Sequence, residues 1–410
     1  MQKNLKGKTM LKKIIKYSSC AVLLCIVGVA LYFFRPWADH QGWRMFHKAN
    51  PFLERVHTQS NWHLLSPYAV LKASDNPRQY ERDLIDLKAI TYEYEGETYT
   101  AEHYFKKQNI IGLMILDDSK VVVEKYDQGI TADTTYMIMS STKSFTATMV
   151  GIALKDGKIE SLDDPVEKYA TQFAGTAYGE TPIRHVLMMS SGINFFHYNH
   201  SPNRGRMMFD IFVRRMSFDG LIKDFNRRVE SGTDFNYILS DTHVLSRVVE
   251  GAYKTPFAEV VQNKLWTPGR FSSDAQWGVD GDGNPLGQMA LSVTLQDFAN
   301  FGQLYLDDLI IDGQKIVTDD WINMVANAQA PFQEPKILED GRWRDGYSFQ
   351  WWLPVGYDQE FIARGAAGQY MYVNKKDNYL VAQFSGEGNV SKKEEITFYR
   401  AVGKYLKEQH

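Results

Sequence analysis

Cysteine is nearly absent from this sequence. Its 410 residues include two cysteines, Cys20 and Cys25, and both lie in an uncharged run near the N-terminus. Everything after residue 34 is free of thiols, so disulfide bonds take no part in its fold. Also missing is a stripe of lysine and arginine interleaved with aromatic side chains, and the net charge is only −3. These absences exclude a nucleic-acid surface and favour a small-molecule or peptide partner.

Several motifs of other hydrolases and of metal sites are missing as well. The sequence contains no Gly-x-Ser-x-Gly and no His-Glu-x-x-His. His197 and His200 lie three residues apart, but no third ligand stands out. Residues 280–284, Asp-Gly-Asp-Gly-Asn, resemble a calcium loop, yet Pro285 and Leu291 stand where that loop needs Gly and Glu. We interpret this segment as a turn and expect neither a metal nor a cofactor.

The N-terminus has the pattern of a membrane anchor. Residues 1–16 contain six lysines and no acidic residue, and the uncharged run 17–34 follows them. At about 1.5 Å per residue, this run nearly crosses a hydrocarbon core of about 30 Å. Because basic residues stay on the cytoplasmic side, we expect 1–16 to be a cytoplasmic tail and 17–34 a single transmembrane signal anchor. The remainder would then lie outside the cytoplasm, in the periplasm.

A cleaved signal peptide is the alternative interpretation, because it shares the charged start and the apolar centre. No A-x-A cleavage site follows the run, which ends Tyr-Phe-Phe-Arg-Pro-Trp, and this favours an uncleaved anchor. A lipid-modified cysteine fits poorly, since the bulky Leu24 precedes Cys25 and Cys20 comes early in the run.

Beyond the anchor we expect a short irregular segment and one large domain. Residues 35–85 mix aromatics, prolines and polar residues without a sustained period, which indicates a stalk and an N-terminal wrap. In 86–410 the patterns predict an α+β fold, in which N- and C-terminal segments form one antiparallel sheet and helices lie between them in the chain. The patterns predict a hairpin over 110–126, helices over 141–154, 240–253, 295–306 and 394–408, and strands over 347–354, 361–364, 368–374 and 379–384.

Ser140 and Lys143 form the one Ser-x-x-Lys motif of the sequence. On a helix that begins with Ser140 as its N-cap, Lys143 lies one turn further on the same face, so its amine can approach the serine hydroxyl. A lysine whose pKa is lowered by desolvation can remove the serine proton, and the helix N-terminus favours the negative charge that develops. The four residues alone also fit a capping serine followed by a solvated lysine.

The residues around this motif resemble a known family. Six blocks, in order and at matching spacing, are similar to class C β-lactamases and to the branch that contains 6-aminohexanoate-dimer hydrolase and related esterases. The blocks are 140–146, 157–165, 181–193, 265–268, 295–305 and 346–354. The resemblance covers about residues 105 to 408. It implies a β-lactamase-like fold and a serine nucleophile, which corresponds to Ser140, with Lys143 as its base.

The family's second motif is Tyr-x-Asn or Tyr-x-Ser, whose tyrosine shares proton transfer with the lysine. The resemblance places this tyrosine at Tyr237. Leu239 occupies the Asn or Ser position, and Ser240 comes one residue late. Since the third side chain of the motif normally orients the lysine or the substrate, either Ser240 or no side chain at all substitutes for it. A buried aromatic without a catalytic role is the alternative for Tyr237.

The family's third motif, Lys-Thr-Gly or His-x-Gly, is expected on a strand within 361–373, where no Lys-Thr-Gly is present. Arg364-Gly365 is the best match, with the N–H of Ala366 as an oxyanion donor beside that of Ser140. Gln369 in the same segment is a further substrate-binding candidate. An ordinary β-bulge would also explain the glycine. By resemblance to the amide-hydrolysing relatives, Tyr198 lines the mouth of the site.

The sequence therefore predicts a membrane-anchored serine hydrolase that cleaves an ester or amide of small-molecule size through a Ser140 acyl-enzyme. Two alternatives stay open. The same fold could carry β-lactamase or D,D-peptidase activity, although the missing Lys-Thr-Gly argues against it. The departure at Leu239 also leaves room for a catalytically inactive binding scaffold, because a fold does not guarantee its usual activity.

Overall fold

The computed structural model describes residues 55–61, 66–195, 207, 209–387 and 390–409. The helices are Arg55–Ser60 (α1), Ala101–Lys107 (α2), Thr142–Lys155 (α3), Ile183–Leu187 (α4), Phe218–Ile222 (α5), Leu239–Tyr253 (α6), Phe257–Val261 (α7), Leu295–Leu306 (α8), Trp321–Ala326 (α9) and Lys392–Lys407 (α10). Short 3-10 turns cover Met139–Ser141, Val166–Lys168, Thr171–Phe173 and Pro331–Gln333, and π-helical turns cover Phe209–Val213 and Gln262–Trp266.

Eighteen strands lie in the described residues. They are Tyr68–Leu71 (β1), Glu81–Arg82 (β2), Thr91–Tyr94 (β3), Glu97–Thr100 (β4), Ile110–Asp117 (β5), Lys120–Tyr126 (β6), Tyr136–Met137 (β7), Ala275–Gly278 (β8), Leu291–Val293 (β9), Ile310–Ile311 (β10), Gln314–Lys315 (β11), Lys336–Ile337 (β12), Trp343–Arg344 (β13), Gly346–Ser348 (β14), Trp351–Leu353 (β15), Glu360–Gly365 (β16), Gln369–Asn374 (β17) and Tyr379–Ser385 (β18).

The main sheet has eight strands in the order β14-β15-β16-β17-β18-β5-β6-β2. Strand β18 pairs antiparallel with β5, with Tyr379 opposite Asp117, which joins segments about 260 residues apart in sequence. Both strands are apolar along nearly their whole length, because α8 covers one face of the sheet and α10 with the β3-β4 hairpin covers the other. The predicted α+β fold, with its antiparallel sheet built from distant segments, is confirmed.

Several predicted elements agree closely with the structure. The 110–126 hairpin is formed by β5 and β6, and its two turn residues, Asp118 and Ser119, both have positive φ as a tight hairpin turn requires. The predicted helix 295–306 matches α8, whose N-cap Thr294 accepts a hydrogen bond from the N–H of Asp297. The closing helix begins at Lys392, two residues earlier than predicted.

The predicted single strand 347–354 is wrong, because β14 and β15 are two strands of a tight hairpin. Phe349 and Gln350 form its turn with φ of +40° and +67°. Neither residue is a usual turn former, so no turn signal marks this position in the sequence. The buried Gln350 amide donates to the carbonyls of Val186 and Leu187, which satisfies the turn in the interior.

A smaller sheet of order β1-β8-β9-β7 brings the early chain against the middle of the domain. Tyr68 of β1 lies opposite Gly278, and β2 pairs in parallel with β6 in the main sheet. Strand β7 leads into the turn that carries Ser140. In the described part of the chain no helix is long and apolar enough to cross a membrane. The predicted anchor 17–34 lies outside that part.

Candidate active site

Ser140 lies in the 3-10 turn that leads into α3. The preceding residue, Met139, has a backbone φ of +51°, a value that residues other than glycine rarely adopt. Ser140 is partly exposed, so its hydroxyl is open to a substrate. The predicted N-cap role of Ser140 is wrong, because the 3-10 turn already includes it. Ser141 occupies the N-cap position of α3, but its side chain makes no capping hydrogen bond. Its hydroxyl donates instead to the carbonyl of Gln369 at 2.7 Å.

Lys143 lies next to the Ser140 hydroxyl in a position that disfavours its charge. Its Nζ is 3.2 Å from Ser140 Oγ and 2.7 Å from the carbonyl oxygen of Gln288. Only 1% of the lysine is exposed, and no ion pair links it to a carboxylate of the described residues. Desolvation lowers the pKa of Lys143 to about 7. A lysine with this pKa is partly neutral near neutral pH and can accept a proton.

Tyr237 completes a group of three side chains around the Ser140 hydroxyl. The Tyr237 hydroxyl hydrogen-bonds to Ser140, and Lys143 Nζ lies 5.2 Å from the centre of the Tyr237 ring. Burial raises the pKa of Tyr237, so its hydroxyl keeps a proton that it can share. The ring packs against Trp352 at 5.3 Å and edge-on against Tyr347 at 5.8 Å. These ring contacts fix the orientation of the Tyr237 side chain, which lies two residues before the start of α6.

The departure at Leu239 has a structural consequence. Leu239 is the first residue of α6, and the Ser240 hydroxyl accepts a hydrogen bond from the Tyr178 hydroxyl at 2.7 Å. The neighbour that orients the amine of Lys143 is instead the backbone carbonyl of Gln288. The Thr146 hydroxyl donates to the carbonyl of Gly287 at 2.7 Å and so fixes the residue just before Gln288. Sequence reasoning missed Gln288, because any residue type supplies a carbonyl.

The C-terminal end of β16 approaches the turn that carries Ser140. A Cβ added to Gly365 would lie 2.2 Å from the carbonyl oxygen of Ile138, so this approach requires glycine. Ala366 follows at the start of the exposed turn between β16 and β17. The structure thus brings together the strand that sequence analysis proposed for the third motif and the candidate nucleophile. The oxyanion role of the Ala366 N–H stays a prediction.

Two other candidates of this strand pair have contacts of a different kind. Arg364 is buried and pairs with Asp345 at 3.1 Å and Glu395 at 2.6 Å, so its contacts do not support a role as a substrate ligand. Adjacent strand residues face opposite sides of a sheet, which turns Arg364 away from the side of Gly365 that meets Ile138. The Gln369 amide donates to the carbonyl of Ser385 at 2.7 Å and supports the turn.

Tyr198, His197 and His200 lie outside the described residues. Within those residues, no group of three or more histidine, cysteine or acidic side chains is arranged to hold a metal ion. The side chain of Asp280 accepts hydrogen bonds from the N–H groups of Asp282 and Asn284, as in a turn stabilised by its first residue.

A serine with a desolvated lysine and a tyrosine at its hydroxyl, on a mixed α and β fold with a large antiparallel sheet, defines a serine hydrolase. Residues 100–403 match the family model described as Beta-lactamase, and the chain belongs to this family. Its match to a 6-aminohexanoate-dimer hydrolase of Paenarthrobacter ureafaciens is 25% identical over 280 residues, which cover 66% of this chain and 71% of that protein.

Solved structures share the fold. A Bacillus anthracis protein provisionally assigned as a 6-aminohexanoate-dimer hydrolase superposes with a TM-score of 0.77 and 17% identity, over 87% of this chain and 95% of that one. A penicillin-binding protein of Bacillus halodurans gives a TM-score of 0.57 and 14% identity, over 73% and 99%. At these identities the likeness concerns the fold alone.

Proposed function

We propose that this serine hydrolase cleaves an ester or amide bond through an acyl-enzyme on Ser140. The observation that carries the proposal is the 3.2 Å distance between Ser140 Oγ and the Nζ of a buried lysine that no carboxylate of the described residues pairs with. A neutral Lys143 removes the hydroxyl proton while Oγ bonds to the carbonyl carbon. The proton then passes, with the help of Tyr237, to the leaving alcohol or amine as its bond to carbon breaks.

The negative oxygen of the tetrahedral intermediate would be held by the backbone N–H groups of Ser140 and Ala366. Fixed donors at this point stabilise the transition state more than the ground state. A water molecule then attacks the ester carbon of the acyl-enzyme, and Lys143 takes its proton. The acid is released and Ser140 regains its hydrogen.

Short esters or linear amides suit this site better than β-lactams. The segment 361–373 lacks Lys-Thr-Gly, and Arg364 is engaged with two carboxylates. Trp352 packs against Phe235 and against Tyr237, whose hydroxyl meets Ser140, and such an aromatic cluster favours an apolar acyl chain. The similarity to a 6-aminohexanoate-dimer hydrolase supports testing linear amides in particular.

A substrate panel tests this proposal. The full-length protein in detergent should hydrolyse short p-nitrophenyl esters or short linear amides more efficiently than nitrocefin, measured as kcat/KM. A higher efficiency on nitrocefin than on every ester and amide would favour the β-lactamase alternative. A folded protein that turns over none of them would favour the binding scaffold.

Labelling with a fluorophosphonate probe tests the nucleophile itself. Ser140→Ala should abolish labelling, because the reacting oxygen is gone. Ser141→Ala and Ser144→Ala are matched controls, since these hydroxyls donate to the carbonyls of Gln369 and Gln350 and should be dispensable for labelling. Undiminished labelling of a folded Ser140→Ala protein would exclude Ser140 as the nucleophile.

We further propose that the enzyme is a single-pass membrane protein with its catalytic domain in the periplasm. The support for this is the sequence pattern alone: six lysines in 1–16, then the uncharged run 17–34.

A further inference from the structure

A buried carboxyl group lies four residues after Tyr237 in the sequence. Asp241 is in the first turn of α6 and is fully buried. Its Oδ1 accepts hydrogen bonds from the hydroxyls of Tyr178, at 2.8 Å, and Ser191, at 2.7 Å. Among the described residues, Oδ2 has no hydrogen-bond partner. Burial without a cation is costly for a carboxylate, and it raises the pKa of Asp241 to about 7.

The hydrogen bonds around Asp241 form a connected chain. The Tyr178 hydroxyl oxygen also lies 2.7 Å from Ser240 Oγ. A tyrosine hydroxyl has one proton to donate. Tyr178 is the donor in both contacts, so its one proton is shared between Ser240 Oγ and Asp241 Oδ1. The chain links two neighbouring residues of α6 through a buried side chain from a distant segment.

Tyr237 is thereby held from both sides against one stretch of backbone. Before it, the N–H of Asn236 donates to the carbonyl of Met189 at 2.8 Å. After it, Asp241 binds the hydroxyl of Ser191, two residues further along the same stretch. The ring of Tyr347 fits edge-on against Tyr237, and its pKa is raised by burial and also by the nearness of both Tyr237 and Asp241.

We propose that Asp241 is a positioning residue of the active site, which fixes the start of α6 through Tyr178 and Ser191 and so keeps the Tyr237 hydroxyl against Ser140. The inference rests on the proposed function. It also explains how the site can have Leu239 where the family has a polar side chain that orients its neighbours. Asp241 positions the tyrosine, and the Gln288 carbonyl orients the lysine.

Asp241→Leu tests the proposal, because leucine has a similar shape and no hydrogen-bond acceptor. The rate at which a fluorophosphonate labels Ser140 should fall on the order of 10- to 100-fold, as small misplacements of a catalytic group do. In a Tyr237→Phe protein the same change should cause little further loss, because the hydroxyl that Asp241 positions is already absent. Asp241→Asn keeps an acceptor oxygen and should recover most of the rate.

Asp297 provides a matched control. It is likewise buried in the first turn of a helix, α8, and accepts hydrogen bonds from Ser272 and Thr294. Asp297→Leu should lower the unfolding temperature without lowering the labelling rate of the folded fraction. If Asp241→Leu does not fold, the double variant Tyr178→Phe with Ser191→Ala replaces it and should give the same dependence on the Tyr237 hydroxyl.

The outcomes separate the two proposals. Equal losses of rate in the wild-type and Tyr237→Phe backgrounds, or an unchanged rate in Asp241→Leu, would overturn the positioning role and leave the Ser140 mechanism standing. Absence of labelling at Ser140 in the folded wild-type protein would overturn the proposed function instead.

Discussion

Lys143 is surrounded by uncharged groups that compensate only partly for the loss of water around its amine. Its neighbours are a serine hydroxyl, a backbone carbonyl and the face of a tyrosine ring, and no carboxylate of the described residues pairs with it. Two dipoles and a ring replace the hydration of an ammonium only in part. The amine is therefore available as a base at a pH where an exposed lysine would remain protonated.

The first prediction at the residue scale concerns pH. Because the neutral amine is the active form and the pKa of Lys143 is about 7, the labelling rate should rise about tenfold per pH unit below 7 and level off above it. The rate of Ser140 labelling is measured between about pH 5 and pH 9, which is roughly the range over which such a group titrates. A rate that still rises tenfold per unit between about pH 8 and pH 9 would mean that Lys143 is not the titrating base.

A second prediction separates the charge of Lys143 from its role as a base. Lys143→Arg keeps a cation that proteins do not deprotonate, and it should reduce labelling about as strongly as Lys143→Ala, by roughly 10² to 10⁴. Tyr237→Phe keeps the ring contacts with Trp352 and should cost less than either change, because the hydroxyl only shares the proton. A larger loss for Tyr237→Phe would make the tyrosine the main base.

At the scale of elements, the active site depends on how closely β16 and β17 approach the turn before α3. Gly365 of β16 meets the carbonyl of Ile138, and the carbonyl of Gln369 in β17 accepts the hydroxyl of Ser141. The close approach at Gly365 places the turn, with its left-handed Met139, against the sheet, and the Ser141 bond lies beside it. Hydrogen bonds in the sheet and van der Waals packing thus offset the strain beside the nucleophile.

Gly365→Ala should disturb this junction. The new Cβ would lie 2.2 Å from a backbone oxygen, so β16 or the turn must move, at about 1–3 kcal/mol of stability and with a lower labelling rate at Ser140. Gly220→Ala in α5 is the control, because its Cβ would find the nearest atom at 3.6 Å, an ordinary contact. Thermal unfolding and probe labelling provide the comparison. Equal unfolding temperatures for both variants would contradict the close approach.

At the scale of the whole molecule, the prediction is membrane attachment. The protein should stay in the membrane fraction through washes with high salt and alkaline carbonate, because an apolar span is held by the hydrophobic effect and not by charge. Proteolysis after about residue 36 should release a soluble catalytic domain that still labels at Ser140. Extraction of the intact protein by high salt alone would refute an integral anchor.

The sequence by itself determined what depends on local pattern. Two apolar, β-branched runs separated by a polar turn predicted the β5-β6 hairpin, and the helical stretches predicted α8 and α10 closely. The Ser-x-x-Lys spacing placed the amine beside the hydroxyl, because the three-residue step is a property of the helical turn itself. Tyr237 was reached through the resemblance of its surrounding block, since an isolated tyrosine has no pattern that distinguishes catalysis from packing.

Only the tertiary structure decided what depends on contacts between distant segments. The turn at Phe349 and Gln350 carries no turn residues and is stabilised by carbonyls from α4, about 160 positions away. Arg364 matched a motif position, yet buried carboxylates from other segments engage it. The Gln288 carbonyl and the Asp241 network were invisible for the same physical reason: a backbone acceptor, or an acid made costly by burial, gains its role from what the fold packs around it.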